Sequence, residues 1–299
     1  MQSIKKPKQS LVIGIVISMF LWGLSWPSAK VLAGYCSAYN FVTYRYLFVL
    51  LSFVPLLFIL KQPVIIDRKG IFPVLASALL LALYSYLFYL GVSKGQAGAG
   101  GVLVTTLNPI MAYALGVLIS GKWPGTREAI GLGCGFIAGL ILLKVWQSPG
   151  KIFSSGNVYF LLAALSWALM SVFTSRAGKY GSSFGFSFWQ YLVTLLCFVP
   201  FVNFDELGAT LQTCDKWFWI NLVFSSAIVT SLATSLYFYA TTQLGPEKAS
   251  SYIFLVPMSA ALSSWLFLGE EIKSHTIAGG VIGIAAVYFI NFGRKVKTI

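Results

Sequence analysis

Apolar runs long enough to cross a lipid bilayer dominate this sequence. A transmembrane helix needs about 20 consecutive, mostly apolar residues, and ten such runs follow one another with short polar connections between them. Only 10% of the 299 residues are charged, whereas about a quarter are charged in a soluble domain. The sequence therefore predicts an all-α integral membrane protein with ten transmembrane helices and excludes an ordinary soluble enzyme. The predicted spans are 11–33, 38–60, 71–93, 97–119, 127–146, 157–177, 184–203, 217–243, 249–268 and 275–293.

Basic residues concentrate in the loops on one predicted side of the membrane. The net charge of +13 alone would suggest nucleic acid, but the Lys and Arg residues lie in short loops, as the positive-inside rule describes. With ten spans, fourteen of the 21 basic residues share the side of both termini and six lie on the other side. We expect a multi-pass protein of the cell (inner) membrane with cytoplasmic N- and C-termini, surrounded by the lipid bilayer and without a nucleic-acid partner.

The two halves of the chain resemble each other. Residues 41–55 (FVTYRYLFVLLSFVP) and 186–200 (FSFWQYLVTLLCFVP) are identical at eight of fifteen positions, and the same offset pairs Trp22 with Trp167. Each half holds five predicted spans, and an odd number places the second copy upside down in the membrane. Such inverted repeats are typical of secondary transporters, in which the substrate site lies between the halves. The predicted repeats are 11–146 and 157–293.

Several short motifs recur in a specific order along the chain. They are Trp22-Gly23, Arg45, Asn108-Pro109 and Gly121, then Trp167-Ala168, Pro257, Leu268-Gly269-Glu270-Glu271, Gly279 and Gly283. With these motifs the chain resembles the drug/metabolite transporter superfamily, in its EamA-like ten-helix branch. It departs from the family pattern at Ser120-Gly121-Lys122-Trp123, where a Gly-Glu or Leu-Glu pair is usual. The resemblance implies a carrier of small organic metabolites with a central cavity, and members commonly move amino acids and related compounds.

Aromatic and polar residues inside the spans are the candidate substrate contacts. Trp22 and Trp167 lie mid-span at repeat-related positions and are candidates for the cavity wall. Arg45 is the one ionised residue well inside a span, so it must face protein or water. Its guanidinium either attracts a substrate carboxylate or ties helix ends together near the interface. The other candidates are Tyr84, Asn108, Ser235, Tyr239 and Tyr252, together with Ser231 and Thr234. For these, helix–helix hydrogen bonding or a place in the interfacial aromatic belt is the alternative.

Prolines and glycines mark candidate hinges and packing sites. Proline lacks a backbone N–H and frees a carbonyl one turn earlier, so Pro27, Pro109 and Pro257 are candidate hinges, with a passive kink as the alternative. Small residues four apart let helices approach closely. They are Gly131 and Gly135 in the fifth span and Gly279 and Gly283 in the tenth. Packing within the bundle is the first interpretation of these glycines, and a homodimer contact is the alternative.

The sequence contains no pattern for a metal, a cofactor or catalysis. The single histidine, His275, has no cluster of further ligands around it, and a zinc site needs several. No Asp or Glu lies deep in a predicted span, which favours facilitated diffusion, exchange or coupling by a route that the sequence does not reveal over proton coupling through a buried carboxylate. We expect a small-molecule substrate, foremost amino acids or related zwitterions, moved by alternating access. The alternatives are an exchanger of nucleoside-type metabolites, such as S-adenosylmethionine or a nucleotide sugar, and an integral membrane enzyme.

Overall fold

The chain folds into helices, as its apolar runs predict. The computed structural model describes residues 9–94, 97–147, 155–268, 272 and 274–291, and within them the only strand-like feature is an isolated bridge between Ile66 and Gly181. In a bilayer a helix satisfies its backbone N–H and C=O groups internally, so long apolar runs become helical. The α-helices are α1 (Gln9–Leu32), α2 (Ala38–Ile59), α3 (Ile71–Lys94), α4 (Ala97–Ser120), α5 (Thr126–Leu143), α6 (Ser155–Thr174), α7 (Ser183–Phe198), α8 (Phe204–Thr213), α9 (Lys216–Val223), α10 (Ser235–Leu244), α11 (Pro246–Ser251), α12 (Val256–Leu268) and α13 (Ser274–Asn291).

Nine helical segments within the described ranges are long and apolar enough to cross a membrane. One of them, Lys216–Leu244, consists of α9, a π-helix at Phe224–Thr234 and α10 in direct succession. The predicted span 249–268 is not the single helix that we expected, because α11, a 3-10 turn at Tyr252–Leu255 and α12 follow one another there. Pro257, the second residue of α12, cannot donate the hydrogen bond that would continue an α-helix from the preceding turn. Glu270 and Glu271 lie outside the described residues.

A short helix occupies a stretch that the sequence predicts as a polar loop. Helix α8 begins after Asn203, whose side chain accepts a hydrogen bond from the Glu206 N–H at 3.0 Å. Asp205 and Glu206 lie in its first turn, where the partial positive charge of the helix N-terminus favours acidic residues. An Asn cap followed by acidic residues is an ordinary helix-start signal, but hydropathy does not detect it.

Helices of the first half pack against helices of the second half. The largest contacts between helices join α3 to α6 and α5 to α13, and α1 packs along α12. Helices α5 and α13 carry the spaced glycines of the fifth and tenth predicted spans. The two halves are therefore held together along most of their length and not only at the loops.

The spaced glycines let α5 and α13 approach closely within one chain. A Cβ atom added at Gly131 on α5 would lie 2.9 Å from the carbonyl oxygen of Ala286 on α13, and one at Gly279 on α13 would lie 3.2 Å from that of Ala138 on α5. Backbone carbonyls cannot swing away as a flexible side chain can, so glycine permits this approach. Gly135 and Gly283 both face Phe254, so these two glycines let α5 and α13 pack against the 3-10 turn at Tyr252–Leu255. A homodimer stays a prediction.

We expect Gly131→Ala to destabilise the protein, because the added methyl group meets the Ala286 carbonyl. Overpacking of this kind costs roughly 1–3 kcal/mol. Gly133→Ala is the matched control, since Gly133 lies on the same helix and an added Cβ has no neighbour within 4 Å. That variant should be neutral or slightly stabilising, as Ala favours a helix over Gly by about 1 kcal/mol. Thermal unfolding in detergent measures the stability of both variants. Equal melting temperatures for the two would contradict the close contact between Gly131 and Ala286.

Candidate functional site

Two repeat-related tryptophans meet at the centre of the bundle. The Trp22 ring on α1 and the Trp167 ring on α6 have centroids 5.1 Å apart and are nearly perpendicular, which is a favoured aromatic geometry. Tyr237 lies 4.9 Å from Trp22, and Tyr84 lies 4.6 Å from Trp167. Because the repeat offset pairs Trp22 with Trp167, this aromatic cluster lies where the two halves face each other.

A small cavity opens beside this cluster. Its wall contains six of the predicted contacts, namely Trp22, Arg45, Tyr84, Asn108, Trp167 and Thr234. Ser25, Thr105 and Thr234 add hydroxyl groups, and Val229, Ile253 and Val256 add apolar surface. The cavity measures about 60 Å³, whereas a dry cavity that holds benzene measures roughly 150 Å³. The site must therefore widen before it can hold a metabolite.

Arg45 points into this cavity and is held by a hydroxyl group. Its Nε and Nη2 atoms donate to Thr230 Oγ1 at 3.2 and 2.9 Å. Within the described part of the chain the guanidinium makes no ion pair, and the side chain is only half-buried. An arginine carries five N–H donors, so this arrangement leaves donors for a ligand. Its repeat counterpart, Gln190, is fully buried and donates to the Ser77 carbonyl at 3.4 Å, so the two halves differ in charge here.

The π-helix supplies the hydroxyl groups that hold Arg45 and Trp22. Thr230 Oγ1 donates to the Ser225 carbonyl at 2.9 Å, and Thr234 Oγ1 donates to the Val229 carbonyl at 3.0 Å, both five residues back. Thr234 Oγ1 in turn accepts from Trp22 Nε1 at 3.2 Å. The π-helix is rare and is often found at functional sites. Sequence reasoning missed Thr230, although the Ser/Thr-rich stretch 225–235 was a visible signal.

Two buried polar atoms in the cavity wall have no hydrogen-bond partner in the structure. They are Oδ1 of Asn108, an acceptor, and Nε1 of Trp167, a donor. The Trp167 indole lies close to the Tyr237 hydroxyl but does not reach hydrogen-bond geometry with it. A buried polar atom without a partner is unfavourable, so each is a candidate contact for a polar ligand.

Four predicted contacts do not line this cavity, namely Ser231, Ser235, Tyr239 and Tyr252. The Ser235 hydroxyl hydrogen-bonds to the Tyr191 hydroxyl at 2.9 Å in a buried position. Tyr239 is 36% exposed and stacks on Phe184. Tyr252 is buried in the core, while the next residue, Ile253, reaches the cavity. Periodicity within a regular helix could not reveal these positions, because the π-helix and the 3-10 turn rotate the side chains that follow.

The remaining candidates lie next to the cavity or hold helices together. Ser231 donates to the Val49 carbonyl at 3.1 Å and so joins the π-helix to α2. Pro27 lies inside α1 and Pro109 inside α4, directly after Asn108. Pro257 follows Val256, a cavity residue, at the start of α12. All three prolines therefore lie close in sequence to the cavity wall, and their role as hinges stays a prediction.

A set of polar contacts, here called the latch, joins the α1–α2 connection to the region around α8. The Tyr35 hydroxyl donates to Asp215 Oδ1 at 2.6 Å, and the Ser37 hydroxyl donates to Glu206 Oε2 at 2.9 Å. Asn40 Nδ2 donates to the Asn203 carbonyl at 3.0 Å. The latch links the first half to the second half at one end of the bundle.

The latch changes the proton affinities of its groups. The hydrogen bond from Tyr35 holds the pKa of Asp215 below its usual value, and the Phe218 N–H adds to this effect. The same hydrogen bond raises the pKa of Tyr35. Burial, followed by the nearby Glu206 carboxylate, raises the pKa of the Cys36 thiol to about 12. Cys36 is a free thiol, as are the other three cysteines of the chain.

The sequence matches known proteins over nearly its whole length. Residues 9–144 and 154–292 each match the model of the EamA-like transporter family. A WAT1-related chloroplast protein of Arabidopsis thaliana is 30% identical over 210 residues, which is 68% of this chain and half of that protein. The uncharacterized transporter YoaV of Bacillus subtilis is 24% identical over 94% of this chain and 97% of its own length.

Two further matches concern function and fold. A probable amino-acid metabolite efflux pump of Salmonella typhimurium is 21% identical over 94% of this chain and 95% of its own length. A solved crystal structure superposes with a TM-score of 0.69 at 14% identity, covering 94% of this chain and 97% of that chain. At this identity the superposition shows the fold alone.

We expect Cys36 to react slowly with iodoacetamide in a variant whose other three cysteines are serines. The thiolate is the reactive form, and a pKa of about 12 leaves very little of it at pH 8. The rate should be about tenfold or more below that of a free cysteine, whose pKa is about 8.5, and should still be rising at pH 10. Glu206→Ala, which breaks the latch, should speed the reaction. A wild-type rate that levels off near pH 8.5 would contradict the burial.

Proposed function

Because the chain belongs to the EamA-like transporter family and is a membrane transporter rather than an enzyme, we propose that it carries amino acids or closely related carboxylates by alternating access. The observation that carries this proposal is the Arg45 guanidinium, which Thr230 holds in a cavity walled by Trp22 and Trp167. A charged side chain within a membrane span is energetically costly, so an arginine at such a position indicates a functional site. A guanidinium can bind a carboxylate through two parallel hydrogen bonds.

The other wall residues suit the rest of such a substrate. The indole rings and Tyr84 offer faces for an apolar side chain and for a cation near the substrate carboxylate. Asn108 Oδ1, which lacks a partner in the structure, can accept a hydrogen bond from an amino group. The Salmonella relative's name refers to amino-acid metabolites, and this supports the same substrate class for the present chain.

The arrangement of the halves supports alternating access. The cavity wall draws on both repeats, so a bound substrate contacts both halves at once and can favour the form in which they close around it. The latch joins the two halves at one end of the bundle. Opening there requires the contacts of Tyr35 and Ser37 with the second half to break.

We propose exchange or facilitated diffusion as the mode of transport, and the cell (inner) membrane as the location. The described carboxylates lie in loops, in short helices or in the first turn of α5, and none lies at mid-span. With both termini in the cytoplasm, the latch faces outward. Iodoacetamide attached to an impermeant group should then reach Cys36 from outside intact cells.

The transport reaction can be tested in proteoliposomes. We expect an internal pool of unlabelled amino acids to accelerate uptake of labelled L-phenylalanine or L-leucine, and we expect the uptake to saturate. S-adenosylmethionine and a nucleotide sugar should compete poorly, because the cavity must widen far more for them. Competition by these compounds, with none by amino acids, would favour a nucleoside-type exchanger instead. Uphill uptake driven by an imposed pH gradient would contradict the mode proposed here.

The role of Arg45 can be separated from protein stability. Arg45→Gln should raise the KM for a carboxylate substrate about tenfold or more, since a hydrogen bond to a charged group contributes about 1.5–3 kcal/mol. Stability should change little, because the equivalent position of the second half is already Gln190. Thr230→Val, which removes only the hydroxyl that positions Arg45, should give a smaller rise, and Thr230→Ser should restore the wild-type value. An unchanged KM in Arg45→Gln would show that Arg45 does not bind the substrate.

A further inference from the structure

A second and larger cavity lies at the loop ends of α4 and α5. It measures about 610 Å³, within the range of about 300–1,000 Å³ that is typical of small-molecule sites. Its wall is formed by the C-terminal turns of α4, the α4–α5 connection, the turn between α10 and α11, and the end of α13. We call it the loop-end cavity. Nothing in the proposed transport mechanism requires a cavity of this size there.

The loop-end cavity carries charges of both signs. Its basic residues are Lys122, Arg127 and Lys248, and its acidic residues are Glu128 and Glu247. The central cavity differs, because it contains Arg45 and no carboxylate among the residues that the structure describes. Of these two cavities, as lined by the described residues, the loop-end cavity is the one that offers an opposite charge both to an amine and to a carboxylate.

The two acidic residues are not equivalent. Glu128 accepts a hydrogen bond from the Gly125 N–H at 2.8 Å and so caps the start of α5. Glu247 makes no ion pair or side-chain hydrogen bond in the part of the chain that the structure describes. Its carboxylate lies against Gly116, where an added Cβ would collide with it. The missing side chain at Gly116 thus lets a carboxylate with no partner rest on α4.

Tyr113 adds an independent sign of a ligand. It lies one helical turn before Gly116 on α4 and lines the loop-end cavity, and its side chain is only 7% exposed. Its hydroxyl has no hydrogen-bond partner among the described residues, and both Glu128 and Glu247 are near enough to act on it electrostatically. A buried hydroxyl without a partner is unfavourable, and a ligand in this cavity would satisfy it.

From these observations we propose that the loop-end cavity is a second binding site, selective for zwitterions that carry both an amine and a carboxylate. Glu247 and Tyr113 receive the amine, and the basic residues receive the carboxylate. The role of the site in transport rests on the proposed function: the cargo docks there before it reaches the central cavity. Helix α4 carries both Tyr113 and the central residue Asn108, which are five residues and about 7.5 Å apart along the helix axis.

The two sites can be observed separately by ¹⁹F NMR of protein labelled with 5-fluorotryptophan. The chain has nine tryptophans. Trp123 lines the loop-end cavity, while Trp22 and Trp167 line the central one. Each resonance is assigned by its loss in the corresponding Trp→Phe variant. The probes are L-phenylalanine, 3-phenylpropanoate, which lacks the amine, and 2-phenylethylamine, which lacks the carboxylate.

We expect L-phenylalanine to shift the Trp123 resonance in a saturable way, and each of the other two probes to bind there about tenfold more weakly or worse. The central resonances should respond to 3-phenylpropanoate as well. Tyr113→Phe and Glu247→Gln should each lower the affinity for L-phenylalanine, as measured from the Trp123 resonance, about tenfold. Tyr113→Phe should not lower the melting temperature, because it removes a hydroxyl that has no partner. Tyr89→Phe is the matched control, since Tyr89 also has a buried hydroxyl without a partner and does not line this cavity.

The outcomes separate the two proposals. If Trp22 and Trp167 respond but Trp123 does not, or if Trp123 responds equally to all three probes, the second site is refuted and the proposed function stands. If Tyr113→Phe binds as the wild type does, the second site is also refuted. If Trp123 alone responds, the second site stands and the proposed function fails. If none of the three tryptophan resonances responds to any probe, both the second site and the proposed function fail.

Discussion

The structure depends on the rule that polar groups inside a bilayer must find partners within the protein. The eighth span obeys this rule through a π-helix, in which Thr230 and Thr234 each hydrogen-bond five residues back. The same two hydroxyl groups hold the Arg45 guanidinium and the Trp22 indole. One irregular stretch of helix therefore satisfies its own hydroxyls and also fixes a cation and an aromatic ring in the central cavity. The site exists because the backbone at this place departs from the α-helix.

Hydropathy predicted the membrane spans because the bilayer imposes one length and one polarity on every crossing. It could not predict how the spans are built inside. The 3-10 turn at Tyr252–Leu255 is as apolar as its neighbours, and the Ser and Thr residues of the π-helix at Phe224–Thr234 are averaged into one apolar span, Lys216–Leu244. Helix α8 was not predicted because its sequence is short and polar. Its signal is the Asn203 cap, which a search for apolar runs does not detect. The average hydropathy of a segment predicts where the chain crosses the membrane, but it does not predict whether the segment forms an α-helix, a π-helix or a 3-10 turn.

The candidate site was predictable where the repeat or the physics of charge singled out a residue. Trp22 and Trp167 stood out as a related pair, and Arg45 stood out as a cation inside a span; all three line the cavity. Tyr239 and Tyr252 were predicted from their aromatic character alone, and neither lines the central cavity. Tyr239 follows the π-helix and Tyr252 begins the 3-10 turn, so the periodicity of a regular helix does not apply to them. Thr230 was missed because a threonine within a span most often bonds to its own helix. Its importance comes from a partner 185 positions away in sequence, and no local pattern contains that information.

The difference between Arg45 and Gln190 has a consequence for the energetics of the duplicated architecture. Two identical inverted halves would make the inward-facing and outward-facing shapes equal in energy, apart from the unequal surroundings on the two sides of the membrane. A guanidinium on one half alone removes that equality, since the charge is solvated differently in each shape. Arg45 is thus one of the differences between the halves that weight the resting population of the empty carrier toward one orientation. Evolution can adjust that weighting by substitution at one position while the rest of the scaffold is retained.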